Sequence, residues 1–139
     1  MQYTARFYSE KEGGFSVEFP DVPGALTCGE TIEECKKYAA EALELVLEEV
    51  LIDNMELPVA KAKPDESKGM YSIAVDPRLA TAIAIHEAKK GLKASVVAKR
   101  MGMSPQSFAR LTKPTSNVSV TMLDRFAKAV GKRLEVNLV

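Results

Sequence analysis

Tryptophan is absent from the 139 residues, histidine occurs once and cysteine only twice. Two thiols cannot build a disulfide framework or a cysteine-rich metal centre. The single histidine, His86, and the lack of any His/Cys/Asp/Glu cluster at ligand spacing argue against a metal site. The strand-like segments offer one carboxylate, Glu18, with Asp21 in a proline-rich turn; metal-assisted phosphodiester cleavage needs several converging ones. There is no nucleophile–base pair and no phosphate-cradling glycine loop, so no catalytic residue and no cofactor is expected. No apolar run approaches the roughly 18 residues of a membrane span. The start, Met1-Gln2-Tyr3-Thr4-Ala5-Arg6, lacks the basic and apolar regions of a secretory signal. The expectation is a non-enzymatic cytoplasmic chain with no membrane partner.

Acidic residues are scarce in one half only. Residues 69–139 hold twelve Lys/Arg against four Asp/Glu, a balance of +8, whereas residues 1–68 hold seven against fifteen, a balance of −8. The formal net charge of zero hides this asymmetry. Two modules with different partners are implied: a polyanion such as nucleic acid for the basic half, a basic molecule for the acidic half.

The acidic half reads as a small sheet and a long helix. Tyr3, Ala5 and Phe7 alternate with Thr4, Arg6 and Tyr8, and Phe15, Val17 and Phe19 alternate with Ser16 and Glu18. The polar run ending in Gly13-Gly14 joins them as an antiparallel hairpin. Pro20 to Gly24 stops the second strand, and Ala25–Cys28 suggests a short third. Thr31 and Glu34 stand at capping-box spacing. Ile32, Cys35, Ala39, Ala42, Leu43, Val46, Leu47 and Val50 then trace one apolar helical face, ending near Asp53-Asn54. Residues 58–69 read as an exposed loop and Met70–Val75 as a last strand. Both cysteines are expected to be buried.

Asp76-Pro77 marks a helix start and the boundary between domains 1–76 and 77–139. The second domain reads as helical: one helix to Gly91 with Leu79, Ala82, Ile83 and His86 on its inner face, a second over 94–101, a third from Ser104-Pro105, and a fourth over about Val120–Val130 closed by Gly131. Leu134, Val136 and Leu138 alternate with Glu135 and Asn137, so a C-terminal strand is expected.

The segment Val97-Ala98-Lys99-Arg100-Met101-Gly102-Met103-Ser104-Pro105-Gln106-Ser107-Phe108-Ala109-Arg110-Leu111 carries the strongest functional signal. Ala98 is small where two helices would cross. Gly102 stands where the turn needs a positive φ. Val97, Met101, Met103, Phe108 and Leu111 would lock the pair, leaving polar Gln106, Ser107 and Arg110 outward. Lys93, Lys99 and Lys113 are candidates for phosphate contacts. The pattern resembles the Cro/repressor-like helix-turn-helix family. That resemblance implies base-edge contacts for Gln106 and Arg110, and phosphate contacts for Ser104 and Ser107.

Phe19-Pro20-Asp21-Val22-Pro23-Gly24, then Gly29-Glu30-Thr31 and an acidic amphipathic helix, follow the Tyr3-x-Ala5-x-Phe7 and Gly13-Gly14-Phe15-x-Val17 strands. This succession resembles the HicB antitoxins over residues 1–57, and the module order extends the likeness to the helix-turn-helix branch of that family. The resemblance implies a truncated ribonuclease-H-like β-β-β-α-β fold in the α+β first domain. It also implies that this domain covers the active site of a basic mRNA-cleaving toxin, HicA, and that the all-α second domain represses its own operon at an operator in double-stranded DNA. The −8 charge of the first half suits a basic toxin, and Glu10, Glu12, Glu18 and Asp21 around the hairpin are the candidate contacts. Operator reading implies at least a homodimer. The competing expectation is a free-standing regulator whose first domain only oligomerises or senses a ligand.

Overall fold

The computed structural model describes residues 1–139 as an α+β chain with a four-stranded antiparallel sheet and five α-helices. It divides into two compact units, Met1–Asp76 and Pro77–Val139.

In the first unit the alternating segments become β1 (Gln2–Ser9), β2 (Phe15–Glu18) and β3 (Leu26–Gly29), followed by α1 (Ile32–Ile52) and β4 (Met70–Ala74). The strand order is β3-β2-β1-β4, and every neighbouring pair is antiparallel. Phe7 opposes Val17, and Tyr3 opposes Ile73, so the apolar residues share one face. That face is covered by α1, whose Cys35, Ala39, Leu43, Leu47 and Val50 are buried. Full burial of a leucine such as Leu43 or Leu47 contributes about 1.5–3 kcal/mol.

Local chemistry fixes both ends of α1. The Thr31 side chain accepts from the Glu34 amide at 3.1 Å. In return Glu34 Oε2 accepts from the amide of Glu30, one residue earlier than in the usual box, at 3.3 Å. Asn54 closes the other end with φ +51°. The Met55 amide bonds Val50 O at 2.9 Å and the Asn54 amide bonds Leu51 O at 3.3 Å, a Schellman termination. Gly29 permits the entry into α1, because a Cβ there would stand 2.9 Å from Cys35 Sγ.

Residues 56–64 run as a strap tied by side chains. Tyr3 Oη donates to Pro58 O at 2.7 Å, and Thr4 Oγ1 donates to Ala62 O at 2.9 Å. Asp21 Oδ2 accepts from the amides of Lys61 and Ala62, each at 2.7 Å. The strap explains one departure from the alternation. Thr4 points away from α1, yet it is only 4% exposed. A hydroxyl is tolerated there because it has a carbonyl to bond. Asp65 then caps a short 3-10 turn, Glu66–Lys68, that leads into β4.

Cys28 is exposed, contrary to expectation, whereas Cys35 is buried and its thiol pKa is pushed up by that burial. The reason is register. On the edge strand β3 the α1 side is held by Thr27 and Gly29, so Leu26 and Cys28 fall on the other face, and Leu26 is 67% exposed.

The second unit comprises α2 (Pro77–Lys89), α3 (Ala94–Arg100), α4 (Pro105–Leu111) and α5 (Val120–Ala129). Its core gathers Ile85, Val97, Ala98, Met101, Phe108 and Phe126, with the rings of Phe108 and Phe126 stacked at 6.2 Å. Leu79, Ala82 and Ile83 are buried as anticipated, but the residue of α2 in this core is Ile85, one position round the helix. His86, expected on the inner face of α2, is half-buried and its Nε2 has no hydrogen-bond partner.

The anticipated C-terminal strand is absent. Residues 132–139 form no ladder, and Leu138 is 98% exposed. The unit is otherwise helical, so it offers no strand edge to complete the pairing.

Asp21→Ala is expected to destabilise the chain by about 2–3 kcal/mol, because two strap amides lose a charged acceptor. Asp21→Asn should recover part of that. The urea midpoint followed by far-ultraviolet circular dichroism reads it, and faster proteolysis within 56–64 should accompany the alanine variant.

Candidate functional site

The geometry of α3 and α4 rests on how α3 ends. Gly102 takes φ +68°, the Met103 amide bonds Ala98 O at 2.9 Å, and the Gly102 amide bonds Lys99 O at 3.1 Å. This is a second Schellman termination, available cheaply to glycine. Ser104 opens the next helix two residues on. Its Oγ accepts from the Ser107 amide at 3.1 Å, with Pro105 at the first helical position. Ala98 is fully buried in the core that also holds Phe108 of α4 and Phe126 of α5.

Two arginines complete the arrangement. Arg100, the last residue of α3, donates from Nη1 to Ala129 O, the end of α5, at 2.9 Å. Arg125 of α5 donates from Nη2 to Met101 O, the end of α3. Each helix thus has a terminal carbonyl satisfied by a cation from the other, at the end where the helix dipole favours positive charge. Around them Arg100, Met101, Arg125, Lys128, Ala129 and Gly131 line a basic concavity of about 550 Å³. Sequence reasoning passed over both arginines. Arg100, two residues before Gly102, was a visible hint of a helix end, but the exchange of caps exists only once α3 and α5 are side by side.

The mount leaves a row of side chains outward. Gln106 and Arg110, four residues apart on α4, share one face and are both exposed. Ser104 and Ser107 are committed locally: Ser104 Oγ caps α4 and donates to Ser107 Oγ at 3.0 Å. Lys93 is exposed at the N-cap of α3, where it makes no side-chain capping bond; Lys99 is exposed at the opposite end of that helix. Lys113 is exposed just beyond α4. The three lysines therefore mark different ends of the two helices rather than one cluster.

In the first unit, Glu10 and Glu12 are exposed at the β1–β2 turn. Glu18 lies on the sheet face opposite α1 and accepts from Tyr8 Oη at 2.5 Å. That bond raises the Tyr8 pKa. The Arg6 guanidinium lies 4.9 Å over the Tyr8 ring. Arg6, Tyr8 and Glu18 thus form one arranged cluster on a partly open face, of which sequence reasoning had singled out only Glu18. Asp21 does not join it, being bonded to the strap. No group of three or more His, Cys, Asp or Glu side chains is placed to hold a metal ion, and no helix is long and apolar enough to cross a membrane.

Comparison with known proteins gives a consistent family. The family model described as HicB-like antitoxin of bacterial toxin-antitoxin system matches residues 3–69. Antitoxin HicB of Escherichia coli K12 is 29% identical over 141 residues, covering 100% of each chain. Antitoxin HicB 1 of Photorhabdus laumondii is 28% identical over 140 residues, covering 99% of this chain and 87% of that protein. Among solved structures, a chain of a HicA3 and HicB3 toxin-antitoxin complex is 26% identical and covers 55% of this chain and 100% of that one, with a TM-score of 0.45.

Gly102→Ala is expected to cost about 1 kcal/mol through strain at positive φ. Arg125→Met should cost about 1–3 kcal/mol by leaving the end of α3 without its partner. Thermal unfolding read by circular dichroism at 222 nm measures both, and Arg125→Lys should fall between wild type and the methionine variant.

Proposed function

We propose that this chain, which residues 3–69 make a member of the HicB-like antitoxin family, neutralises a small toxin with its first unit and represses its own operon with its second. The observation that carries the antitoxin reading is the family match, joined by two full-length relatives named as antitoxins. The β-β-β-α-β element order of the first unit agrees with a truncated ribonuclease-H-like fold. Its partner is a HicA-like, mRNA-cleaving protein. A protein that grips RNA is basic, and the −8 charge of residues 1–68 complements it. The first unit acts by covering that partner, not by catalysis. Glu10, Glu12 and Glu18 are the contacts of choice, and the Arg6–Tyr8–Glu18 cluster holds Glu18 in a fixed pose. Asp21 is assigned instead to holding the strap.

For the second unit, α3 and α4 act as a helix-turn-helix, with α4 in the major groove of operator DNA. The supporting observation is an exposed Gln106–Arg110 row on a helix fixed by a glycine turn, in a half of the chain carrying +8. Glutamine suits adenine and arginine suits guanine by paired hydrogen bonds. Lys93, Lys99 and Lys113 contact phosphates, which position without reading sequence. Ser104 and Ser107 keep a secondary role at phosphates, since their hydroxyls already bond each other and the α4 backbone. Operator binding requires at least a homodimer, and the complex works in the cytoplasm.

Co-expression with the adjacent reading frame tests the first function. A short basic protein that arrests growth alone and is silent with this chain is the expected result; no such frame would leave the free-standing regulator as the better reading. Arg110→Ala should cost about 1–3 kcal/mol of operator affinity and relax preference at one base pair, while Lys99→Ala should weaken binding evenly and reduce the salt slope by about 1. Unchanged binding by both variants in a salt titration would show that α4 is not the reading helix.

A further inference from the structure

The exchanged caps of α3 and α5 satisfy two carbonyls and leave positive charge over. Arg100, Arg125 and Lys128 line one concavity of about 550 Å³, and no acidic side chain lines it with them. Neither guanidinium is paired with a carboxylate. Lys128 has one partner, Asp124 Oδ2 at 2.9 Å, one turn back along α5. The two helix ends together supply about one negative charge, since each carries roughly half an elementary charge. With Asp124 included, the balance of the concavity stays positive.

We propose that this concavity binds a phosphate group, held by the Arg100 and Arg125 guanidiniums, with Lys128 as a point charge beside them. The planar N–H donors of a guanidinium match phosphate oxygens in pairs. Each guanidinium here spends one nitrogen on a carbonyl, Arg100 on Ala129 O and Arg125 on Met101 O. Those bonds hold the two planes in place and leave their other nitrogens for a ligand. Little side-chain freedom is then lost on binding, which is the advantage of a preorganised site. The volume lies within the roughly 300–1,000 Å³ of small-ligand sites. A phosphorylated small molecule fits it, and so does one phosphate of a nucleic-acid backbone.

The site is separate from the reading row. No residue of α4 lines the concavity, so Gln106 and Arg110 play no part in it. It therefore stands without the operator reading. It also bears on the mount of α4: a phosphate bonded to both guanidiniums ties the end of α3 to the end of α5, in addition to the caps.

The test follows the backbone amides of the full, isotope-labelled chain by NMR. Inorganic phosphate is titrated against sodium chloride at constant ionic strength. The amides of Gly102, Gly131 and Lys132 should shift along saturating curves with a dissociation constant of about 1 mM or lower. Arg100→Lys keeps the charge and loses the fork, and should weaken binding at least about tenfold. Lys128→Met touches neither carbonyl bond, so it keeps the fold intact and should weaken binding about threefold. Lys37→Met removes a cation from the first unit and should change nothing. Shifts that do not saturate by about 20 mM phosphate, or a constant that neither Arg100→Lys nor Lys128→Met moves, would overturn the site. Duplex DNA separates the two sources of the phosphate. A salt slope for duplex binding that falls by about 1 in Lys128→Met assigns the site to the DNA backbone; an unchanged slope with weakened phosphate binding assigns it to a phosphorylated small molecule. A chain that binds phosphate here and no duplex at all would sink the operator reading and leave this site standing.

Discussion

The termination of α3 is the constraint on which the second unit depends. A helix of seven residues has little stability of its own. Here its end is defined three times over: by the left-handed Gly102, by the paired backbone bonds of the Schellman turn, and by the Arg125 guanidinium on Met101 O. Arg100 does the same for α5. The direction in which α4 leaves is set by these groups before any side chain of α4 is considered. The burial of Val97, Ala98, Met101 and Phe108 then holds the pair at that angle.

The first unit uses the same economy with different chemistry. In the Phe19–Gly24 segment, Phe19 and Val22 are buried, and the Asp21 carboxylate holds two amides of the strap. The Phe19–Gly24 segment is therefore scaffold. It joins the exit of β2 to the stretch between α1 and β4, residues some forty positions away. What stays exposed or half-exposed in this unit is the turn with Glu10 and Glu12 and the open sheet face with Tyr8, Glu18 and Leu26.

Features written in adjacent residues were legible in the sequence. The β1–β2 hairpin, the Thr31–Glu34 start of α1, Pro77 opening α2, Ser104-Pro105 opening α4 and the glycine ends of α3 and α5 all follow from local backbone chemistry. Features needing a distant partner were not. Thr4 is buried because residue 62 lies over it, and Cys28 is exposed because β3 is an edge strand whose register sends it away from α1. Asp21 looked like a free surface acid because nothing nearby in sequence reveals the strap. Alternation at Leu134–Leu138 pointed to a strand, but a strand also requires a neighbour, and the helical unit has none to give.

The division of labour on α4 has an evolutionary corollary. Phe108 anchors the helix, while Gln106 and Arg110 face outward and take no part in the buried core. The outward row can be rewritten without disturbing the mount, since surface substitutions away from packing and caps usually change stability by about half a kcal/mol or less. Two chains could thus differ along the whole exposed row of α4 and still share one and the same fold beneath it.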